Sequence, residues 1–264
     1  MEKIFNKVLR SFLLKNNNMN PNLRNAIILP FIFLHFQVTF SQQNLYSFIR
    51  DIPLPEGYSR VIANKNSFSE WLRNLSLKKS KTVYLYNGTP KRNQSAQFAV
   101  IDISVGNKNL QQCADAVMRL RAEYLYAEKR FSEISFSDNN HHEYKLNDLT
   151  NRKHFDNYLD NVFAKCGTLS LEKQLKSLDK INDVEPGDVL IQGGSPGHAM
   201  IIVDMAVNKF GKKVILLAQS YMPAQDIHIV INPTNKNLSP WFELNNDTMI
   251  TPEWVFPKGH FKKW

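Results

Sequence analysis

Glycine and proline are scarce in this chain, at 10 and 12 of 264 residues, and no internal repeat organises them. Collagen-like, low-complexity and wholly disordered chains are thereby excluded. Cysteine is scarcer: Cys113 and Cys166 are the only two, so the chain closes at most one internal disulfide. Basic charge is present but not concentrated. The formal net charge is +9, and residues 1–41 hold five basic side chains against one acidic, which leaves about +5 for the rest. Those remaining Lys and Arg are scattered among acids rather than gathered into a stripe, so nucleic acid is not an expected partner. What is there, 43% hydrophobic and 22% charged residues, is the composition of an ordinary globular protein.

A single long apolar run exists, Ala26 to Phe40, interrupted by Pro30, His35 and Gln37. It is short against the roughly 20 residues of a spanning helix. A basic segment precedes it, and Thr39 and Ser41 supply small residues before Gln42, the pattern of a cleaved secretory signal. Residues 1–41 are therefore expected to be a signal peptide, with Met1 or Met19 as the start, and no membrane span remains after its removal. An uncleaved N-terminal anchor helix is the competing reading. The mature protein is expected to be exported, periplasmic or extracellular, with residues 42–264 as one domain.

Along that domain the periodicity predicts an extended lead-in to about Arg60, then a helix from Ser67, where Ser67 and Glu70 have the spacing of a capping box. Lys81 to Asn87 and Phe98 to Val105 read as strands. A long helix runs from about Leu110 to Arg130, free of Gly and Pro, with apolar residues at three- and four-residue steps. Phe131 to Asn151 reads as a hairpin or insertion. Two further helices, from about Phe155 to Ala164 and from Thr168 to Leu178, complete the helical part. Strands Val189 to Gln192, His198 to Ala206, Val214 to Tyr221 and Ile227 to Ile231 follow, and an aromatic-anchored wrap closes the chain. Helices first and a β meander afterwards predict an α+β fold.

Chemistry is suggested by three separated elements. Cys113 falls in the first turn of the long helix, where unpaired N–H groups and the positive dipole end favour a thiolate. Position alone is expected to activate it, and the same N–H groups, with Gln111 or Gln112 just upstream, are placed to receive an oxyanion. His198 opens a strand after Gly193-Gly194-Ser195-Pro196-Gly197, a loop suited to cradling a ligand with its backbone. Folding the next hairpin brings either Gln219 or Tyr221 opposite His198, and Gln219 is expected to hold the imidazole. Asp204 lies six residues along the strand, roughly 20 Å away at strand rise, too far to do so. The expected constellation is Cys113 as nucleophile, His198 as base and Gln219 as its support, with Gln112, Ser195, Gly197 and Tyr221 around the substrate. No metal or other cofactor is called for.

The order of Gln-Gln-Cys113 at a helix start, Gly187-Asp188-Val189, Gly197-His198 on a strand and a polar residue on the next resembles the papain-like NlpC/P60 and CHAP hydrolases. That resemblance implies a papain-like helix bundle packed on an antiparallel sheet, and a thiol amidase or endopeptidase acting on cell-wall peptides. Nearly the whole mature chain is also similar, more specifically than to the papain-like hydrolases, to a family of exported proteins of unknown function, best known from Bacteroidetes. Trp71-Leu72-Arg73-Asn74, Gln111 to Tyr124, Pro196-Gly197-His198, Tyr221 to Gln225 and Thr251-Pro252-Glu253-Trp254 carry that similarity.

Each reading has a rival. Cys113 is either a nucleophile or the disulfide partner of Cys166, and the domain is either an enzyme or a non-catalytic module that holds cell-wall peptide or glycan. His141, His142 and Glu143 read as a solvated loop, not a metal site. Ser195 is not a serine-hydrolase elbow, because a strand rather than a helix follows it. His228, flanked by Ile227 and Ile229, is expected to face solvent or the groove.

Overall fold

A computed structural model of the chain describes residues 43–146, 151–178 and 180–264. The expected signal peptide, residues 1–41, lies outside the described residues. Among the described residues four α-helices are formed, α1 (Phe68–Arg73), α2 (Cys113–Ala127), α3 (Arg152–Lys165) and α4 (Thr168–Gln174). The strands are β1 (Tyr58–Arg60), β2 (Gln97–Val100), β3 (Ser135–Ser137), β4 (Glu143–Lys145), β5 (Lys176–Ser177), β6 (Val189–Gln192), β7 (His198–Asn208), β8 (Lys213–Gln219), β9 (His228–Val230), β10 (Phe242–Glu243), β11 (Met249–Ile250), β12 (Val255–Phe256) and β13 (Phe261–Lys263).

A nine-stranded antiparallel sheet dominates. Its order is β2-β9-β8-β7-β6-β13-β5, with β1 paired to β7 and β10 to β8. This corrects the expected papain-like helix bundle on a sheet: α1 and α4 span only six and seven residues, and the helices form no bundle. The reason is long-range pairing. Tyr58–Arg60 joins the sheet opposite Ala206–Asn208, and Gln97–Val100 joins it opposite His228–Val230. The N-terminal half thus contributes strands to the same sheet rather than a separate helical layer, and no local periodicity announces that.

Local chemistry still decides the ends of the elements. Ser67 Oγ accepts the Glu70 N–H at 3.2 Å, while Glu70 Oε2 reaches back to the Asn66 N–H rather than to that of Ser67. Helix α2 stops where Lys129 takes φ +57°. There the Arg130 N–H bonds Leu125 O and the Lys129 N–H bonds Tyr126 O, a Schellman closure. Lys81 to Asn87 does not form the expected strand. Side chains take the Val83 N–H (Gln94 Oε1) and the Tyr84 N–H (Asp226 Oδ2), an alternative to a ladder that polar side chains provide, while Leu85 and Tyr86 donate to Thr89 O and Ala224 O and form only isolated bridges.

Strand β7 is buried along its first nine residues, so both its faces are covered. Ala199, Ile201 and Val203 belong to the core that includes Ala114, Val117 and Leu120 of α2. Met200 and Ile202 belong to a second core closed by Phe242, Met249, Phe256 and Phe261. The expected irregular C-terminal wrap therefore supplies short strands and much of the cover of one face, with Val184, Leu178, Ile181 and Val61 packed there as well. On the α2 side a buried ion cluster ties the N-terminal segment down, with Asp204 accepting from Arg60 Nε at 2.7 Å and Arg73 Nε at 2.8 Å. No helix among the described residues is long and apolar enough to cross a membrane.

Candidate functional site

Cys113 is the first helical residue of α2, after Gln112 at the N-cap. The Gln112 N–H donates to Asp115 Oδ2 at 2.9 Å, which removes that donor from any oxyanion role. Cys113 opens onto a cleft of about 460 Å³ whose wall includes Gln112, Asp115, Cys166, Ser195 and Gly197. Three of the four expected substrate-side residues therefore share one cleft with the cysteine. The fourth, Tyr221, lies instead against His198, with ring centroids 4.9 Å apart. Cys113 and Cys166 are both free thiols, which corrects the disulfide alternative.

Gly197 is required by the close turn that delivers β7. A Cβ there would stand 2.5 Å from Thr168 Oγ1 and 2.8 Å from Gln192 O. His198 follows, 1% exposed, its ring enclosed by Tyr221, Trp254 at 5.3 Å and Phe256 at 5.8 Å. Its Nε2 meets Gln219 Oε1 at 2.7 Å. The route to that contact differs from direct cross-strand pairing. Ile201 stands opposite Ala218, a register in which Gln219 faces Met200 and reaches His198 along the diagonal.

The partners of Gln219 fix the protonation pattern. His228, fully buried rather than facing solvent or the groove, directs Nδ1 at Asp226 O at 2.9 Å. A carbonyl only accepts, so Nδ1 carries the proton and Nε2 is left as an acceptor. Gln219 Nε2 lies 3.3 Å from that His228 Nε2 and donates to Glu253 Oε2 at 2.8 Å. Both neighbours demand a donor, so the amide must present Oε1 to His198. His198 is consequently the Nε2–H tautomer, and its Nδ1 is the free basic nitrogen. Glu253 is in turn paired with Lys91 Nζ at 2.5 Å. Glu253, Lys91 and His228 are members that sequence reasoning missed or misplaced. Thr251-Pro252-Glu253-Trp254 attracts notice as a motif, but nothing local links it to Gln219, 34 residues earlier.

The electrostatics reverse one expectation. Burial pushes the Cys113 thiol up to about 11, against opposing hydrogen bonds from the backbone of Ala199 and Ala114. A rise of about two units is worth roughly 3 kcal/mol, more than the 0.3–1 kcal/mol of a helix dipole. Helix-start position does not activate Cys113. Burial also pushes Cys166 up to about 12 and Asp115 up to about 8. It pulls His198 down to about 4 and His228 to about 3. Thiol and imidazole are both neutral at rest.

The constellation therefore forms as two adjoining groups. His198, Gln219 and Tyr221 stand together with Glu253, while Cys113, Gln112, Ser195 and Gly197 surround the cleft. They meet at the mouth of β7, where the thiol feels the backbone of Ala199, one residue from the imidazole, and where Tyr221 feels both Glu253 and Cys113. Among the described residues no hydrogen bond joins Cys113 to His198. The strand pleat explains the gap: His198 shares the face of Met200 and Ile202, whereas α2 packs on the face of Ala199 and Ile201.

Comparison with known proteins adds one match. A family model described as Domain of unknown function (4846) matches residues 49–150 and 139–263. No curated protein and no solved structure matches the chain.

Proposed function

The chain belongs to the family described as Domain of unknown function (4846), and we propose that it is an exported thiol hydrolase that cleaves an amide bond, such as one in a cell-wall peptide. The observation that carries this reading is the tautomer lock. A hydrogen-bonded chain of part-buried Glu253 and buried Gln219 and His228 holds His198 with Nδ1 unprotonated, one residue from the backbone that meets Cys113. In the proposed reaction the Cys113 Sγ–H proton passes to His198 Nδ1 as sulfur bonds the carbonyl carbon. The C–N bond then breaks, and Nδ1 returns that proton to the leaving amine. Water attacks the thioester, giving one proton to Nδ1 and its hydroxyl to the acyl carbon, and the thiolate leaves to regain the proton. Because the pair is neutral at rest, His198 acts as general base during attack.

Acylation with the p-nitrophenyl ester of N-acetylalanine, quenched in acid and read by intact-mass spectrometry, tests the proposal. One acyl group on Cys113 is expected in the native protein and none in His198→Ala. Labelling elsewhere, or undiminished labelling in the variant, overturns it. A second reading, a binding module for peptide or glycan, is favoured by the neutral resting thiol and imidazole. It is distinguished by tight ligand binding with no acylation.

A further inference from the structure

The cleft beside Cys113 has a composition that the chain as a whole does not share. Charged residues make up 22% of the sequence, so the eighteen residues of its wall would include about four by chance. They include one, Asp115. The remainder divides into neutral polar groups, such as Asn139, Thr168 and Ser195, and an apolar side made by Phe163, Leu169 and Met222. Leu169 and Met222 are 38% and 59% exposed, so these two face incoming ligand, while Phe163, 7% exposed, belongs to the core behind them.

Asp115 is itself 5% exposed, and its Oδ1 has no hydrogen-bond partner while Oδ2 caps α2. A buried polar atom without a partner costs about 1–3 kcal/mol, and an amide group of a ligand is suited to satisfy it. Burial pushes the carboxyl up to about 8, which leaves it protonated at neutral pH, able both to donate and to accept. Both thiols at the wall are protonated too. An ion entering here sheds hydration; an anion finds no basic side chain in the wall, and a cation finds only Asp115, which is 5% exposed and already engaged at the α2 N-cap.

We propose that this cleft selects an uncharged peptide segment, with a neutral side chain against Phe163, Leu169 and Met222. The proposal rests on the hydrolase reading for its assay but not for its test of selectivity. Three blocked fluorogenic amides, acetyl-Ala-Leu, acetyl-Ala-Glu and acetyl-Ala-Lys, are compared at pH 7 with the full mature chain. The Leu substrate is expected to exceed both others in kcat/KM by at least about tenfold, since one unpaired desolvated charge costs that much or more. Leu169→Lys is expected to raise use of the Glu substrate relative to Leu by about tenfold. Equal or better cleavage of either charged substrate by the native chain overturns the selectivity.

If none of the three is cleaved, the hydrolase reading fails alone, and calorimetry on Cys113→Ala with the corresponding blocked peptide amides decides the selectivity. Binding confined to the Leu peptide supports it. Binding of the charged peptides at least as tightly, of a neutral chito-oligosaccharide more tightly, or of no peptide at all, overturns it.

Discussion

Replacing Gln219 by leucine tests the central geometric argument most directly. The substitution keeps side-chain bulk but removes the group that accepts from His198 Nε2–H at 2.7 Å and donates to Glu253 at 2.8 Å and toward His228 at 3.3 Å. His198 and His228 are 1% and 0% exposed, so water does not replace the lost partner. Each buried group left unsatisfied costs about 1–3 kcal/mol, and added apolar burial returns on the order of 1 kcal/mol. With two such groups, on His198 and His228, a net loss of about 1–5 kcal/mol is expected, or roughly 3–15 °C in Tm for a domain of this size. Two measurements check it. Thermal unfolding reads the stability, and nitrogen-detected NMR of labelled histidine reads the tautomer. Native His198 is expected as the Nε2–H form, and Gln219→Leu as a mixture of the two forms. Under the hydrolase reading, loss of the positioned base lowers kcat/KM by about 10²–10⁴ with less effect on KM. A native spectrum showing the Nδ1–H form, or a variant as stable as the native protein, would refute the reasoning.

Other expectations follow from burial. His198 and His228 titrate far below 6.5 when folded, at about 4 and about 3. Their neutral forms are favoured by folding, so this stability is full above pH 6.5 and is lost as pH falls toward 4. His198 alone accounts for about 3 kcal/mol, and acid unfolding followed by circular dichroism should shift to lower pH in His228→Phe. Asp115 behaves oppositely, because its raised value makes ionisation costly in the folded state. Asp115→Asn retains a cap for the Gln112 N–H, and should raise Tm near pH 7 by the equivalent of up to about 4 kcal/mol, with no gain near pH 4; a gain independent of pH contradicts the argument. Gly197→Ala places a methyl 2.5 Å from Thr168 Oγ1 and 2.6 Å from Gly194 O. A loss of about 1–3 kcal/mol is expected in chemical denaturation, and a neutral result shows that the turn relaxes.

Where sequence and structure agree, the information is local. The absence of Gly and Pro across Cys113–Ala127 specified α2, the Ser67 hydroxyl marked the start of α1, and Asn208 and Gly211 turned β7 into β8. Four strands from Val189 to Val230 were legible because their runs are bounded by turn residues. Those local rules also placed Cys113 in a first turn and His198 at a strand mouth, and put Gln219 within two residues of the facing position.

The rest was decided by tertiary structure alone. Alternation cannot show that a strand is covered on both faces, and β7 is; hence the sheet, not a helix bundle, organises the molecule. Pairing of β1 with β7 and of β2 with β9 joins segments more than 100 residues apart, whose mutual preference leaves no periodic trace. Glu253, Lys91 and His228 enter the site by the same route. The state of Cys113 was misjudged for a related reason: a helix dipole can be read from position in sequence, but desolvation depends on what the fold packs around the sulfur, and here it is the larger effect.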